Sequence, residues 1–64
     1  MTLQQAKTTA RVLGFVLRFV STRNEYRLSP DHGTREEREA EAYYTTDLDD
    51  ALATARWESM RRGK

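Results

Sequence analysis

The sequence contains no cysteine, one histidine and one proline among its 64 residues. Without cysteine the chain cannot form disulfides or a thiolate zinc site, which fits a reducing compartment such as the bacterial cytoplasm. No apolar run approaches the length of a membrane-spanning helix, and the N-terminus lacks the apolar core of a signal peptide. We therefore expect a soluble cytoplasmic protein with no membrane partner.

Residues suited to catalysis are also scarce. His32 follows Asp31 and lies near Ser29, and three residues so close on one turn cannot converge as nucleophile, base and orienting acid. The aspartates near position 47 have part of a calcium-loop spacing, but the central glycine of such a loop is missing. The sequence therefore predicts no enzyme, no metal site and no cofactor.

Charge of either sign is nearly balanced, with a net charge of +1 and 33% charged residues, so the total charge does not point to nucleic acid. The chain is basic up to Arg35, acidic from Glu36 to Glu58, and basic again at its end. We expect these segments largely to neutralise one another. A chain this short buries only about 60% of its unfolded surface, so marginal stability or self-association is expected.

The clearest pattern that is present lies between residues 39 and 60. Glu39 to Tyr44 alternate with a period of two, which predicts a third strand with Ala40, Ala42 and Tyr44 on the buried face and Tyr43 on the opposite face. A helical pattern begins after this segment, so the chain changes from strand to helix at the two threonines that follow.

We expect the second helix to begin with Thr46 as N-cap and Asp49 at its third position, with acidic residues in the first turn. Its residues that share one narrow sector predict a core-facing stripe. These are Leu48, Ala51, Leu52, Ala55 and Ser59.

The first third of the chain predicts a helix from Leu3 to Leu13, started by a Thr2 capping box and ended by Gly14. The alternative is a disordered start followed by a long strand from Ala10. The apolar segment Phe15 to Val20 predicts a central strand in which Phe15, Leu17 and Phe19 face the core.

A polar turn over residues 21–24 leads into a second strand from Glu25 to Ser29, with Tyr26 and Leu28 facing inward. Pro30 ends this strand because it has no backbone N–H, and the connection from Pro30 to Glu37 is expected to be mobile. The predicted fold is one α+β domain over residues 1–64, with a disordered tail from residue 61. It has the element order α-β-β-β-α, with both helices on one face of a three-stranded antiparallel meander.

Two surfaces are candidates for function. Ala53, Trp57, Met60 and Arg61 lie away from the core stripe of the second helix, and Trp, Met and Arg are enriched at protein interfaces. They predict a protein partner, or a second copy in a homodimer. The alternatives for the tryptophan are packing on the first helix and simple exposure.

The second candidate is the open face of the sheet. Arg18, Arg27 and Tyr43 there could offer cations and a stacking surface to single-stranded nucleic acid, with help from the basic tail at Arg61, Arg62 and Lys64. The alternative is a solvated face with cross-strand Arg–Glu pairs.

The strings AYYTTDLDDALATA at residues 42–55, LGF at 13–15 and EYR at 25–27 resemble a group of short, uncharacterised proteobacterial proteins with an AYYT-D-L-DA-TA ending. This resemblance implies a fold and no function. Residues 26–31 and 46–52 more weakly resemble HicB-type antitoxin N-terminal domains, which implies capture of a protein partner, although no DNA-binding segment follows.

Overall fold

The computed structural model describes residues 1–62 of the chain. Three strands form one antiparallel sheet in the order β1-β2-β3, and three helices flank it. The elements are α1 (Leu3–Val12), β1 (Phe15–Val20), β2 (Glu25–Pro30), α2 (Arg35–Ala40), β3 (Tyr43–Thr45) and α3 (Leu48–Arg62). The predicted α+β fold with a small antiparallel meander is confirmed, with one additional helix.

Helix α1 forms where the capping box predicts it. The Thr2 hydroxyl accepts a hydrogen bond from the Gln5 backbone N–H, and the Gln5 side chain accepts one from the Thr2 N–H. Gly14 ends the helix with φ of +90°, a conformation that only glycine adopts without steric cost. The alternative of a disordered start with a strand from Ala10 is therefore wrong.

Strands β1 and β2 pair in the register Leu17 with Leu28 and Phe19 with Tyr26, joined by the predicted turn at residues 21–24. Phe15 and Leu17 are buried, as predicted, but Phe19 is 43% exposed and contacts the Tyr26 ring edge-to-face. Strand β1 is an edge strand rather than the central one, since β2 lies between β1 and β3. Its apolar composition reflects the packing of α1 on it.

Pro30 limits the pairing of β3 with β2. The Asp31 N–H donates a hydrogen bond of 3.1 Å to the Gly14 carbonyl, on the β1 side of β2. Successive backbone N–H groups of a strand point alternately to its two neighbours. The nitrogen of Pro30 therefore points toward the β3 side, where it has no hydrogen to donate. Pairing with β1 continues through Pro30, whereas pairing with β3 stops at Leu28 and Tyr43.

The end of the segment predicted to be a connection, from Arg35 onward, is helix α2, which the sequence pattern did not predict. Thr34 and Glu37 form a reciprocal capping box with hydrogen bonds of 3.1 and 2.9 Å. The helix ends at Ala40, Glu41 follows it in a turn, and Ala42 precedes β3. The period-two pattern from Glu39 therefore did not form a strand over its whole length.

Helix α3 begins one residue later than the sequence indicates, and the prediction of Thr46 as N-cap is wrong. The Asp47 carboxylate accepts a hydrogen bond from the Asp49 N–H (2.9 Å), and its carbonyl accepts one from the Ala51 N–H (3.0 Å). These are the bonds of an N-cap residue. The Thr45 hydroxyl accepts from the Asp47 N–H and orients the entry to the helix.

The core lies between the sheet and the pair α1 and α3, which share one face as predicted. Its buried members come from both helices and two strands: Ala6, Ala10, Phe15, Leu17, Leu28, Ala51, Leu52 and Ala55. Alanines on both helices permit close approach to each other and to the strands. The predicted stripe of α3 is confirmed, with Leu48 and Ser59 at its half-buried margin.

Helix α3 continues through Arg61 to Arg62, inside the tail predicted to be disordered, and residues 63–64 of that tail lie outside the described residues. Over residues 1–62, no helix is both long and apolar enough to span a bilayer.

Candidate binding surfaces

Helix α3 presents an exposed apolar strip on the side opposite the core. Ala53, Trp57 and Met60 are spaced i, i+4 and i+7, so they follow one line along the helix. The Trp57 side chain is 56% exposed and that of Met60 is 72% exposed. We call these three residues, with Arg61, the α3 strip. More than half of Trp57 faces solvent, so it is an exposed residue and is not buried against the first helix.

Arg61 lies over the ring of the tryptophan. Its guanidinium carbon lies 4.6 Å from the centroid of the Trp57 ring, and its Nη2 lies 3.2 Å from Glu58 Oε1. A cation above an indole contributes about 0.5–1 kcal/mol at an exposed site. The ring is therefore partly pre-ordered, which lowers the entropy that a binding event would cost.

The strip also carries opposite charges at its two ends. Asp49 lies exposed at its N-terminal end, and Arg56 and Arg61 lie exposed toward its C-terminal end. The helix dipole has the reverse polarity, positive at the start and negative at the end. The side-chain charges are complementary to a copy of the strip running in the opposite direction, and the dipole offsets part of this effect.

Of the three residues predicted for the open face of the sheet, Arg18 and Arg27 lie there and Tyr43 does not. Arg18 pairs with Arg27, and Arg27 pairs with Tyr44, so these three side chains form one row across β1, β2 and β3. Tyr43 instead pairs with Leu28 and lies on the helix face. The predicted facing of Tyr43 and Tyr44 is therefore wrong, because the turn after α2 and the register with β2 decide which tyrosine faces outward.

Tyr43 is used for a contact with α3. Its hydroxyl donates a hydrogen bond of 2.6 Å to Asp50 Oδ2. This bond to a carboxylate raises the pKa of the Tyr43 phenol, with smaller contributions from desolvation and from the charge of Asp50. The bond ties the end of the sheet to the first turn of α3.

Arg27 is the most firmly held cation of the open face. Its side chain is only 12% exposed, and its Nη2 lies 3.0 Å from Glu39 Oε2 of α2. Its Nη1 donates a hydrogen bond of 2.9 Å to the hydroxyl of Ser29, which is itself buried. Helix α2 therefore lies over the Ser29 end of the open face and contributes its own charges there.

Two of those charges are arginines that face the row of the sheet. A cavity of about 350 Å³ is lined by side chains of β1, β2, α2 and β3, namely Arg18, Val20, Arg27, Arg35, Arg38, Glu39 and Tyr44. Arg38 is anchored by a hydrogen bond of 2.7 Å from its Nη1 to the Gly33 carbonyl. The guanidinium carbon of Arg23 lies 4.2 Å from the centroid of the Tyr44 ring.

We call Arg18, Arg27, Arg35, Arg38 and Tyr44 the arginine face. Arg18 and Arg27 were predicted from the sequence, whereas the two arginines of α2 and Tyr44 were not. One signal for the helix was present, because Thr34 and Glu37 have the spacing of a capping box. The segment lacks apolar periodicity, and none of its residues is buried, so the pattern alone did not predict a helix.

Within residues 1–62, no group of three or more histidine, aspartate or glutamate side chains is arranged to hold a metal ion. Comparisons with protein-family models, with curated proteins and with solved structures give no significant match to this chain.

Proposed function

We propose that this protein is a non-enzymatic protein–protein interaction module that associates with a second copy of itself through the α3 strip. The observation that carries the proposal is the exposure of Trp57 in line with Ala53 and Met60 on one helix. Tryptophan dominates the binding energy of many interfaces, and an indole left in water forfeits most of its burial energy.

The polarity of the helix supports a second copy as the partner. In an antiparallel pair of α3 helices with Asp49 opposite the partner's Arg61, Ala53 of each copy lies opposite Trp57 of the other. In this register unlike charges meet at both ends of the pair, because Asp49 of each copy lies beside Arg61 of the other. The small side chain of Ala53 leaves room for the partner's Trp57 ring.

Sedimentation equilibrium over a wide concentration range tests the proposal. We expect a reversible monomer–dimer equilibrium that weakens by at least about 2 kcal/mol, roughly thirty-fold in Kd, in Trp57→Ala. Trp57 is the sole tryptophan, so its fluorescence emission should shift to shorter wavelength as the dimer forms. The matched control is Val12→Ala, which truncates an apolar side chain on α1 that is 81% exposed.

A charge exchange tests the antiparallel arrangement. Asp49→Lys and Arg61→Glu should each weaken the dimer, and the double variant should restore it because the pair of opposite charges is re-formed with reversed sign. Circular dichroism checks that α3 is intact in each variant, since Asp49 also stabilises the helix start. A monomer at all concentrations would refute self-association, and a double variant weaker than both single variants would refute the arrangement.

A further inference from the structure

The arginine face contains like charges that lower the stability of the fold. Arg18 and Arg27 are directly opposed on neighbouring strands, and like charges in that position destabilise a sheet. Arg35 and Arg38, three residues apart on α2, add two more cations to the same cavity. Glu39 is the single acidic residue that lines this cavity, so four positive charges against one leave a net charge of +3.

We propose that this cavity is a binding site for phosphate groups. The planar guanidinium group presents paired N–H donors that match the oxygens of a phosphate, and several such groups around one concave space suit an anion with more than one charge. A bound phosphate would remove the repulsion between Arg18 and Arg27.

Part of the site is already positioned for an anion. Arg27 is fixed by Ser29 and Glu39, and Arg38 is fixed by the Gly33 carbonyl, so their side chains lose little freedom on binding. Arg18 and Arg35 have no ion-pair partner within residues 1–62, and their donors are available to a ligand.

Helix α2 completes the site from the second side. Arg35 and Arg38 reach the cavity only because the Thr34 cap turns the chain into a helix above the Ser29 end of the sheet. In an extended connection these arginines would alternate between two faces. The site therefore depends on an element whose residues contribute nothing to the core.

Phosphate groups can reach this site on a nucleic acid chain or on a small polyphosphate. Tyr44 belongs to the same row, but the guanidinium of Arg23 already lies over its ring, so base stacking is not required for the site to work. The shared chemistry is the phosphate oxyanion, and the source is decided by the choice of ligand in the test.

Isothermal titration of the intact chain at low salt provides that test, with inorganic tripolyphosphate, a single-stranded oligothymidylate and polyglutamate as probes. We expect binding to at least one of the two phosphate probes and weaker binding to polyglutamate. Tripolyphosphate binding without oligothymidylate binding assigns a small polyphosphate as the source, and the converse assigns the nucleic acid backbone. Absence of binding by both, or tighter binding to polyglutamate, would overturn the proposal.

Substitutions localise the binding. Arg35→Gln and Arg18→Gln should each weaken phosphate binding about tenfold or more, the value of a charge-assisted hydrogen bond. Arg11→Gln on α1 removes the same charge far from the cavity and should change the affinity far less. Equal losses in all three variants would show a diffuse charge effect and would refute a defined site.

Stability separates a binding role from a structural one. Arg18→Gln removes the repulsion with Arg27, so the folding equilibrium constant should rise roughly 1.5- to 5-fold while phosphate binding falls. A loss of stability together with binding would show that Arg18 supports the fold instead. Trp57→Ala should leave phosphate binding unchanged, so the site and the proposed dimer fail or succeed independently.

Discussion

Removing the cap of α2 should open that helix without unfolding the domain. In Thr34→Ala the hydrogen bond from the Glu37 N–H to the threonine hydroxyl, 3.1 Å in the native protein, is lost. An N-cap substitution of this kind costs about 0.5–2 kcal/mol. A helix of six residues has little stability of its own, so most of this loss should appear as local opening.

The domain as a whole should be nearly unaffected. None of the α2 residues is buried, so the core between the sheet and the other two helices does not depend on this helix. A domain of this size has a free energy of unfolding of about 3–10 kcal/mol. We expect the denaturant midpoint of Thr34→Ala to decrease by a small part of that value.

Amide hydrogen exchange measures the local effect. The Arg38 N–H donates to the Thr34 carbonyl (2.9 Å) and the Glu41 N–H to the Glu37 carbonyl (3.2 Å), so both report on α2. A cap loss of about 0.5–2 kcal/mol should accelerate their exchange roughly two- to thirty-fold. Amides of β1 and β2 should keep their native rates.

Thr34→Ser is the matched control, because it retains a hydroxyl at the same position and should leave exchange almost unchanged. Phosphate affinity should fall in Thr34→Ala and be preserved in Thr34→Ser, since Arg35 and Arg38 keep their places only while the helix is formed. Unchanged exchange in Thr34→Ala, or unfolding of the entire domain, would refute this account of α2.

Three further predictions concern the core, the start of α3 and alkaline pH. Leu52→Ala, at a fully buried position, should lower the free energy of unfolding by about 2–5 kcal/mol, a large part of the total, as measured by denaturant titration. A decrease of less than about 1 kcal/mol would contradict the placement of Leu52 in the core. Asp47→Ala should lower the free energy of unfolding by about 0.5–2 kcal/mol, whereas Thr46→Ala should change it little. A larger effect of Thr46→Ala would show that Thr46 is the N-cap. The hydrogen bond to Asp50 raises the pKa of Tyr43 in the folded protein above that of an unfolded chain, which is about 10. The stability that this bond contributes is therefore complete below about pH 10, and it is lost as the pH rises through the pKa of the folded protein. Alkaline unfolding of Tyr43→Phe should lack this component, and identical pH profiles for the two proteins would refute it.

Local patterns determined most of the elements of this protein. The capping box at Thr2, the glycine at position 14, the alternation from Phe15 and the stripe from Leu48 each predict an element within one or two residues of its observed bounds. The alanine-rich stripe also predicts the correct face of α3. These features depend on residues at most four positions apart, so they can be predicted from the local sequence.

Other features were decided by contacts between distant residues. Helix α2 has a capping box but no apolar face, and the pair of Arg27 with Glu39 holds it over the sheet. Its formation, together with the missing donor of Pro30, shortens the third strand, and the alternation restarts at Tyr43. A pattern within one segment cannot indicate that change.

The sequence by itself thus determined which residues share a face within α1, β1, β2 and α3, because the helical and extended periods are local properties of the backbone. The tertiary structure alone decided that Tyr44 rather than Tyr43 joins the row of Arg18 and Arg27. The physical reason is the hydrogen-bond register of β3 on β2, which ends where Pro30 lacks a donor and which sets the facing of each side chain.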